Sequence, residues 1–384
     1  MTPIDAFPPP SADSARLCEE WTGVLIRTLV SICLTAFSSY NNTTKEDSLE
    51  RLRVIHVGTA GRGRYWVQGL RGCESFVKQV ALVDVRPDLL EKAQEITGLS
   101  STACFSDLGS ALVQVAADAV VIVTPSAFHA SLAHQALSAG KHVLLEKPFT
   151  NNYYDAWNIV ARAQQQGLKV VVAQNYRYSP TERLIQKLLR DETYGQVGYL
   201  SLIHHRYRPD PRAFTMDEPM LWEMSCHHFD SILAFFGDRP VSRVAARSFN
   251  PPWSRYPGSA AVSAIIEIDG RIQVNYSGTF TSMSDHREYR FECAEGALVW
   301  DENGLRLTRP GGKEIIAIDV PAATQLDCVQ IALDFHRYIV EDHEPETSGR
   351  RNLAVMELIQ HCIDSSRHGT VIHAESSGSS LVAE

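Results

Sequence analysis

The chain has 384 residues, of which 44% are hydrophobic and 21% charged. Those shares match soluble globular averages and exclude disorder, collagen and coiled coil as descriptions of the whole. Its 36 basic against 45 acidic side chains leave a net charge of -9, so nucleic acid is not an expected partner, because a polyanion is held by clustered cations.

At about 150 residues per domain, the length suggests two domains and an appendage. The eight cysteines are scattered without a CxxC pair. Neither a disulfide framework nor a zinc knuckle is expected, and the thiols read as reduced residues of a cytoplasmic protein. Residues 1–50 read as an N-terminal extension, flexible or a short helix. The apolar stretch 24–37 contains Arg27 and is shorter than the about 20 residues of a membrane span. Asp5, Asp13, Glu19 and Glu20 precede it, where a secretory leader wants positive charge. No membrane association is expected, and the fold is expected to begin near Leu52.

From there the chain alternates. A β-rich run at 54–57 leads directly into Gly58-Thr59-Ala60-Gly61-Arg62-Gly63, a helical pattern over 64–70, a second strand at 79–83, and Asp84, 21 residues past Gly63. Strand, glycine turn, helix, strand and acid in this register form the dinucleotide fingerprint. Gly58 allows the sharp turn. Ala60 stands where the pyrophosphate approaches the backbone. Gly63 lets the helix pack on the sheet, and the helix N-terminus offers free N–H groups to phosphate. Asp84 accepts from ribose hydroxyls, which favours NAD. Arg86 lies close enough to shield a 2′-phosphate, so NADP stays open. A glycine turn without any cofactor is the competing account.

Further strands are expected at 119–123, 142–145 and 169–173, with helices at 89–96, 127–139 and 155–166. Thr124, Lys147 and Gln174 follow such strands, where open parallel sheets gather their ligands. Beyond residue 175 the pattern changes. Runs at 199–207, 260–268, 271–280 and 287–293 read as strands, with Asp269-Gly270 as a type I′ hairpin signal. Helices are expected at 231–236, 324–338 and 351–366, and strands grouped after alternating β and α indicate an α+β domain.

At Glu146-Lys147-Pro148 the chain resembles the glucose–fructose oxidoreductase / inositol dehydrogenase (Gfo/Idh/MocA) family. The glycine turn, Asp84, Thr124-Pro125-x-x-x-His129, Glu146-Lys147-Pro148, Asn175-Tyr176-Arg177-Tyr178-Ser179-Pro180 and His227-x-x-Asp230 occur in order. The likeness spans roughly residues 52–370. It implies an α/β Rossmann domain over 51–175 and an α+β C-terminal domain with an open, mainly antiparallel sheet over 176–370, followed by a polar tail at 371–384. It also implies an NAD(P)-dependent oxidoreductase acting on a sugar, cyclitol or related polyol, and an assembly of two or four copies.

By this resemblance Gly58, Ala60, Gly61, Arg62, Gly63, Asp84, Thr124, Pro125, His129, Glu146 and Arg177 contact the cofactor. Lys147, often followed by a cis proline bond, holds the reacting hydroxyl. His227 moves the proton. The family usually has Asp four residues before this His; here Glu223 stands in, and on a helix the two share a face, so its carboxylate is expected to orient the imidazole. Asp230 can reach the same face. His228 points elsewhere and reads as packing. Read without the resemblance, Lys147 is a strand-end ion pair, and a structural ion pair fits Arg177 equally well. No metal is expected, since the histidines lack zinc spacing. Two other activities stay open: a glycosidase working through transient sugar oxidation with NAD, which retention of Lys147 disfavours, and a non-catalytic NAD(H) sensor.

Overall fold

The computed structural model describes residues 51–208, 216–237, 239–312 and 314–374. The expectations for residues 1–50 and for 375–384 lie outside the described residues.

The first sheet has six parallel strands: β1 (Leu52–Val57), β2 (Val77–Val83), β3 (Cys104–Phe105), β4 (Ala119–Ile122), β5 (His142–Glu146) and β6 (Val170–Ala173). Their order is β3-β2-β1-β4-β5-β6. Four interior strand residues in a row are buried in β4 and in β6, the mark of strands covered on both faces. The covering helices are α1 (Arg62–Arg71), α2 (Pro87–Thr97), α3 (Leu108–Gln114), α4 (His129–Ser138) and α5 (Tyr153–Gln165). Local chemistry sets their ends. Pro87 opens α2 and a left-handed Gly98 closes it, and the Asn152 side chain caps α5 by accepting from the Asp155 N–H. Strand order reverses between β1 and β4, so the crevice at their carboxyl ends is the topological switch point.

The chain then forms α6 (Pro180–Arg190), β7 (Val197–Tyr207), a π-helical turn at Leu221–Ser225 that runs into α7 (Cys226–Phe236), and strands β8 (Val241–Phe249), β9 (Ala261–Ile268), β10 (Ile272–Thr279), β11 (Thr281–Cys293), β12 (Gly296–Asp301), β13 (Gly304–Thr308) and β14 (Ile315–Ala317). Helices α8 (Asp327–Val340) and α9 (Gly349–His368) and the short β15 (Ile372–His373) follow. These strands make a nine-stranded sheet in the order β14-β13-β12-β11-β7-β10-β9-β8-β15. All its pairs are antiparallel except β7 with β10. Asp269 and Gly270 both have positive φ, as a type I′ turn requires. In β7 the side chains of Leu200, Leu202 and His204 are buried while their neighbours are not, which defines an inner face toward α7 and α9.

Strands β3, β8, β12, β13 and β14 and helices α3 and α6 are additions to the sequence reading. Residues 241–249 carry two arginines and two alanines and lack the dense β-branched character that marks a strand in isolation. Their partners in the sheet make them strands. Ile372–His373, placed in the tail by composition, pair with β8 instead. Among the described residues no helix is long and apolar enough to cross a membrane.

Candidate active site

The glycine turn is dictated by close approach. A Cβ on Gly58, whose φ is +90°, would stand 2.3 Å from the Val123 carbonyl oxygen. One on Gly63 would stand 2.1 Å from the Gly58 oxygen. Gly61 also has positive φ and caps α1, and Ala60 and Gly61 sit exposed at the tip of the turn. Asp84 closes the turn from behind: its Oδ2 accepts from Thr59 N at 2.7 Å and Thr59 Oγ1 at 2.9 Å, and its Oδ1 accepts from Arg86 N at 3.0 Å. The acid thus organises the loop as well as facing its mouth. Sequence reasoning passed over Thr59, although its hydroxyl next to the first glycine was the available signal.

Across the crevice, Thr124 packs its methyl group beside Gly58, and its hydroxyl is buried without a partner among the described residues. Pro125 follows, exposed, at the start of a short 3₁₀ turn. His129 is fully buried. Its Nδ1 lies 2.8 Å from the Pro148 oxygen and its Nε2 3.0 Å from the Thr124 oxygen. The ring therefore ties the loop after β4 to the loop after β5, and burial lowers its pKa. A backbone cradle that only glycine permits, α1 N-terminal amides and a leftover hydroxyl together fit a bound dinucleotide.

Glu146 is a hub. Its Oε1 accepts from Arg62 Nε and Trp66 Nε1, each at 2.7 Å, and its Oε2 accepts from the Lys147 amide at 3.1 Å. The other branch of Arg62 reaches Asp327 of α8 at 2.9 Å, and Asp327 also accepts from the Tyr65 hydroxyl. Arg62 and Glu146, expected as cofactor contacts, bind each other and brace α1 against β5 and α8. Asp327 lies 265 residues from Arg62, so no local pattern links them.

The Lys147–Pro148 peptide is cis. Lys147 Nζ donates to the Glu223 backbone oxygen at 3.0 Å and stands 3.7 Å from Glu223 Oε2. This corrects the expected role of Glu223. The π-helical turn abandons four-residue spacing, so Glu223 pairs with Lys147, while Nδ1 of His227 has no partner among the described residues. Asp230 is likewise committed elsewhere, to Arg177. His227 is held by stacking instead: Tyr176 lies parallel to it, at 11° and 4.2 Å between ring centroids. Burial, reinforced by the Lys147 ammonium, holds His227 well below the ordinary imidazole pKa, so it is neutral.

Residues Asn175–Tyr178 form a 3₁₀ turn that sends adjacent side chains to different sides. Tyr176 goes to His227. Arg177 goes to Asp230, donating from Nε at 2.7 Å and from Nη2 at 2.9 Å. Of the two accounts open for Arg177, the ion pair is the one this geometry favours. Next to it the buried Glu182 accepts from Ser231 Oγ, and burial pushes its pKa up to about 8. His228 accepts or donates at 2.8 Å to the Tyr276 hydroxyl, a packing role as expected. His204 lies 4.5 Å from His228 between ring centroids.

A parallel-sheet nucleotide crevice facing the inner side of an open antiparallel sheet, with a lysine and an imidazole between them, defines a two-part dinucleotide-dependent protein. Residues 52–174 match the GFO_IDH_MocA description, an oxidoreductase family with an NAD-binding Rossmann fold. This match assigns residues 52–174 to the NAD-binding Rossmann fold of that oxidoreductase family. The uncharacterized protein y4oX of Sinorhizobium fredii is 26% identical over 257 residues, 62% of this chain and 69% of that protein. D-apiose dehydrogenase of Paraburkholderia graminis is 24% identical over 317 residues, 77% of this chain and 83% of that enzyme. The crystal structure of aldose-aldose oxidoreductase from Caulobacter crescentus, complexed with glycerol, matches at TM-score 0.75 and 18% identity over 85% of this chain and 100% of that one. That likeness is one of fold.

Proposed function

We propose that the chain is an NAD-dependent dehydrogenase or reductase acting on a hydroxyl-bearing carbon of a sugar, cyclitol or related polyol derivative, with NADP as a possible second cofactor. Residues 51–175 bind the cofactor and 176–370 shape the substrate site. The observation that carries this reading is the convergence of the Lys147 ammonium and a neutral, stacked His227 at the mouth of the nucleotide crevice.

When bound, the nicotinamide supplies the acceptor or donor of the hydride. The chain's own groups manage the oxygen and its proton. Lys147, turned into the cleft by Glu223, donates to the substrate oxygen and offsets the negative charge that develops there. His227, kept deprotonated by burial and by Lys147, takes the hydroxyl proton in oxidation and returns it in reduction. Tyr176 fixes the imidazole plane. The free thiols among the described residues, most of them buried, support a reducing, cytoplasmic compartment. The exposed Ile265 on the outer face of the second sheet supports pairing of copies there.

A panel of sugars and cyclitols, followed by NADH absorbance, tests the reading. At least one should reduce NAD, with activity lost in Lys147→Met. Failure of the folded protein to take up any pyridine nucleotide in calorimetry would overturn it.

A further inference from the structure

We propose that the cleft contains a subsite for an anionic group of the substrate, a carboxylate or phosphate, formed by Arg287 and Arg206 around His204. The proposal rests on the oxidoreductase reading and narrows its substrate class to acidic or phosphorylated polyols.

The register places these residues together. Arg287 of β11 sits directly opposite His204 of β7, where facing side chains are neighbours. Arg206 lies two residues further along β7 and therefore on the same inner face. The Arg287 guanidinium lies over the Trp300 ring, 4.6 Å from its centroid. Among the described residues it has no ion pair and no hydrogen bond. Stacking of this kind holds a guanidinium in place while leaving its planar edge open to a two-oxygen acceptor. Arg206 is only loosely offset: its Nε is 3.7 Å from Asp285 Oδ2, with both side chains about half exposed or more.

His204 supplies the second, independent observation. It is 5% exposed, yet neither ring nitrogen has a partner among the described residues. A buried ring with both nitrogens unsatisfied is costly unless a ligand or water meets it. Burial and the two arginines lower its pKa to about 4. At neutral pH it thus adds an N–H donor and no further positive charge to a place that already holds two cations. An anion there would pair Arg287, meet His204 and relieve the repulsion in a single step.

The subsite is also on the path from the reacting groups. Tyr176 stacks on His227 and lies 6.5 Å from His228 between ring centroids, and His228 lies 4.5 Å from His204. Lys147 is already offset by Glu223, so the uncompensated charge of this face is concentrated at Arg287. The substrate is therefore expected to place its reacting hydroxyl at Lys147 and His227, with its anionic group past Tyr176. Arg287 binds substrate without touching the oxygen that reacts.

The test compares three matched ligands on NAD-loaded protein: D-glucose, D-gluconate and D-glucose 6-phosphate, extended to other polyol, acid and phosphate trios. Rates and calorimetric binding are measured for wild type, Arg287→Gln and Arg287→Lys. Wild type is expected to favour the acid or the phosphate at least ~10-fold over the neutral form, and the better of the two identifies the group. Arg287→Gln should erase ~10–100-fold of that preference through KM, the range for loss of a charged hydrogen bond. Its turnover of neutral polyol and its NAD affinity should stay within ~2-fold, and Arg287→Lys should recover part of the preference. Equal or better use of neutral polyols, or a preference unchanged in Arg287→Gln, overturns the subsite and leaves the oxidoreductase reading standing. Binding of anions that depends on Arg287, without turnover of any polyol, sinks the oxidoreductase reading alone. Absence of charge-dependent binding counts against the subsite whatever the rates show.

Discussion

At the carboxyl end of β1, the ionised side chains are already held: Asp84 by Thr59 and Arg86, Arg62 by Glu146 and Asp327, Glu146 by Arg62, Trp66 and an amide. On the opposite wall, along β7, β11 and α7, the pattern is reversed. Among the described residues, His204 and His227 keep buried ring nitrogens without partners, and Arg287 has an aromatic ring beneath it and no ion pair. The nucleotide wall spends its charged groups on its own rigidity and presents backbone and the Thr124 hydroxyl to the ligand. The substrate wall leaves polar groups open and relies on aromatic stacking to keep them in place. A generic cofactor needs a preorganised cradle, whereas a particular substrate needs donors and acceptors that only it can satisfy.

Variants on the two walls should therefore separate chemistry from cofactor binding. The largest effect is expected for Lys147→Met: a fall in kcat of about 10⁴-fold with NAD affinity nearly unchanged, read by steady-state kinetics beside calorimetry. An equal loss of NAD binding would erase the distinction between the walls. His227→Asn should cost about 10³-fold in kcat. Because Lys147 opposes protonation of His227, the Lys147→Met protein should also show a higher His227 pKa by NMR titration; an unchanged value would separate the two groups.

On the nucleotide wall, Gly63→Ala should weaken NAD binding about 100-fold and lower Tm, because its Cβ would enter the Gly58 carbonyl. Wild-type NAD affinity in this variant would mean that the turn yields. Asp84→Ala should shift the NAD-over-NADP preference by roughly 10-fold (about 1.4 kcal/mol) and loosen the turn through Thr59, measured as a ratio of kcat/KM values; sharper selection of NAD would remove Asp84 from the ribose.

Acid should act mainly on the substrate wall. Burial holds the folded-state pKa values of His204, His227 and His228 below the ordinary imidazole value of about 6.5, so the unfolded chain binds more protons below that pH. Their stabilising contribution is complete above 6.5 and is lost as pH falls toward the folded values. By pH 5 protonation of the unfolded chain therefore works against each of these buried rings. His56 beneath the glycine turn, lowered to about 4, adds to the same limb. Glu182 works on the alkaline side: its raised pKa of about 8 contributes stability below 4.5 that is lost as pH rises through 8. Thermal unfolding followed from pH 8 to pH 5 should show Tm falling below 6.5, less steeply in His228→Gln. A flat profile would contradict neutral burial of these rings.

Much of this was legible before any coordinates. The turn from Gly58 to Gly63, Asp84, the strand-end positions of Thr124 and Lys147, the Asp269-Gly270 hairpin and the helix carrying His227 all follow from contiguous residues. Arg177 and Tyr176 show the limit. Their motif stood out, yet which of them faces the imidazole depends on a 3₁₀ turn whose pitch neighbouring letters do not specify. Glu223 shows it again, since one π-type turn changed its partner from His227 to Lys147.

The sequence by itself determined where the backbone must bend, where the first sheet's longer strands run, and which residues stand at the ends of those strands. Each is a short-range steric or periodic requirement. Tertiary structure alone decided the Arg62–Asp327 brace, the placing of β8, β12 and β13 in one sheet, and the meeting of Arg287, Trp300 and His204 on its inner face. Those depend on strand register and on contacts between residues far apart in the chain, and the energy that selects them comes from burying whole surfaces together rather than from the preference of any local segment.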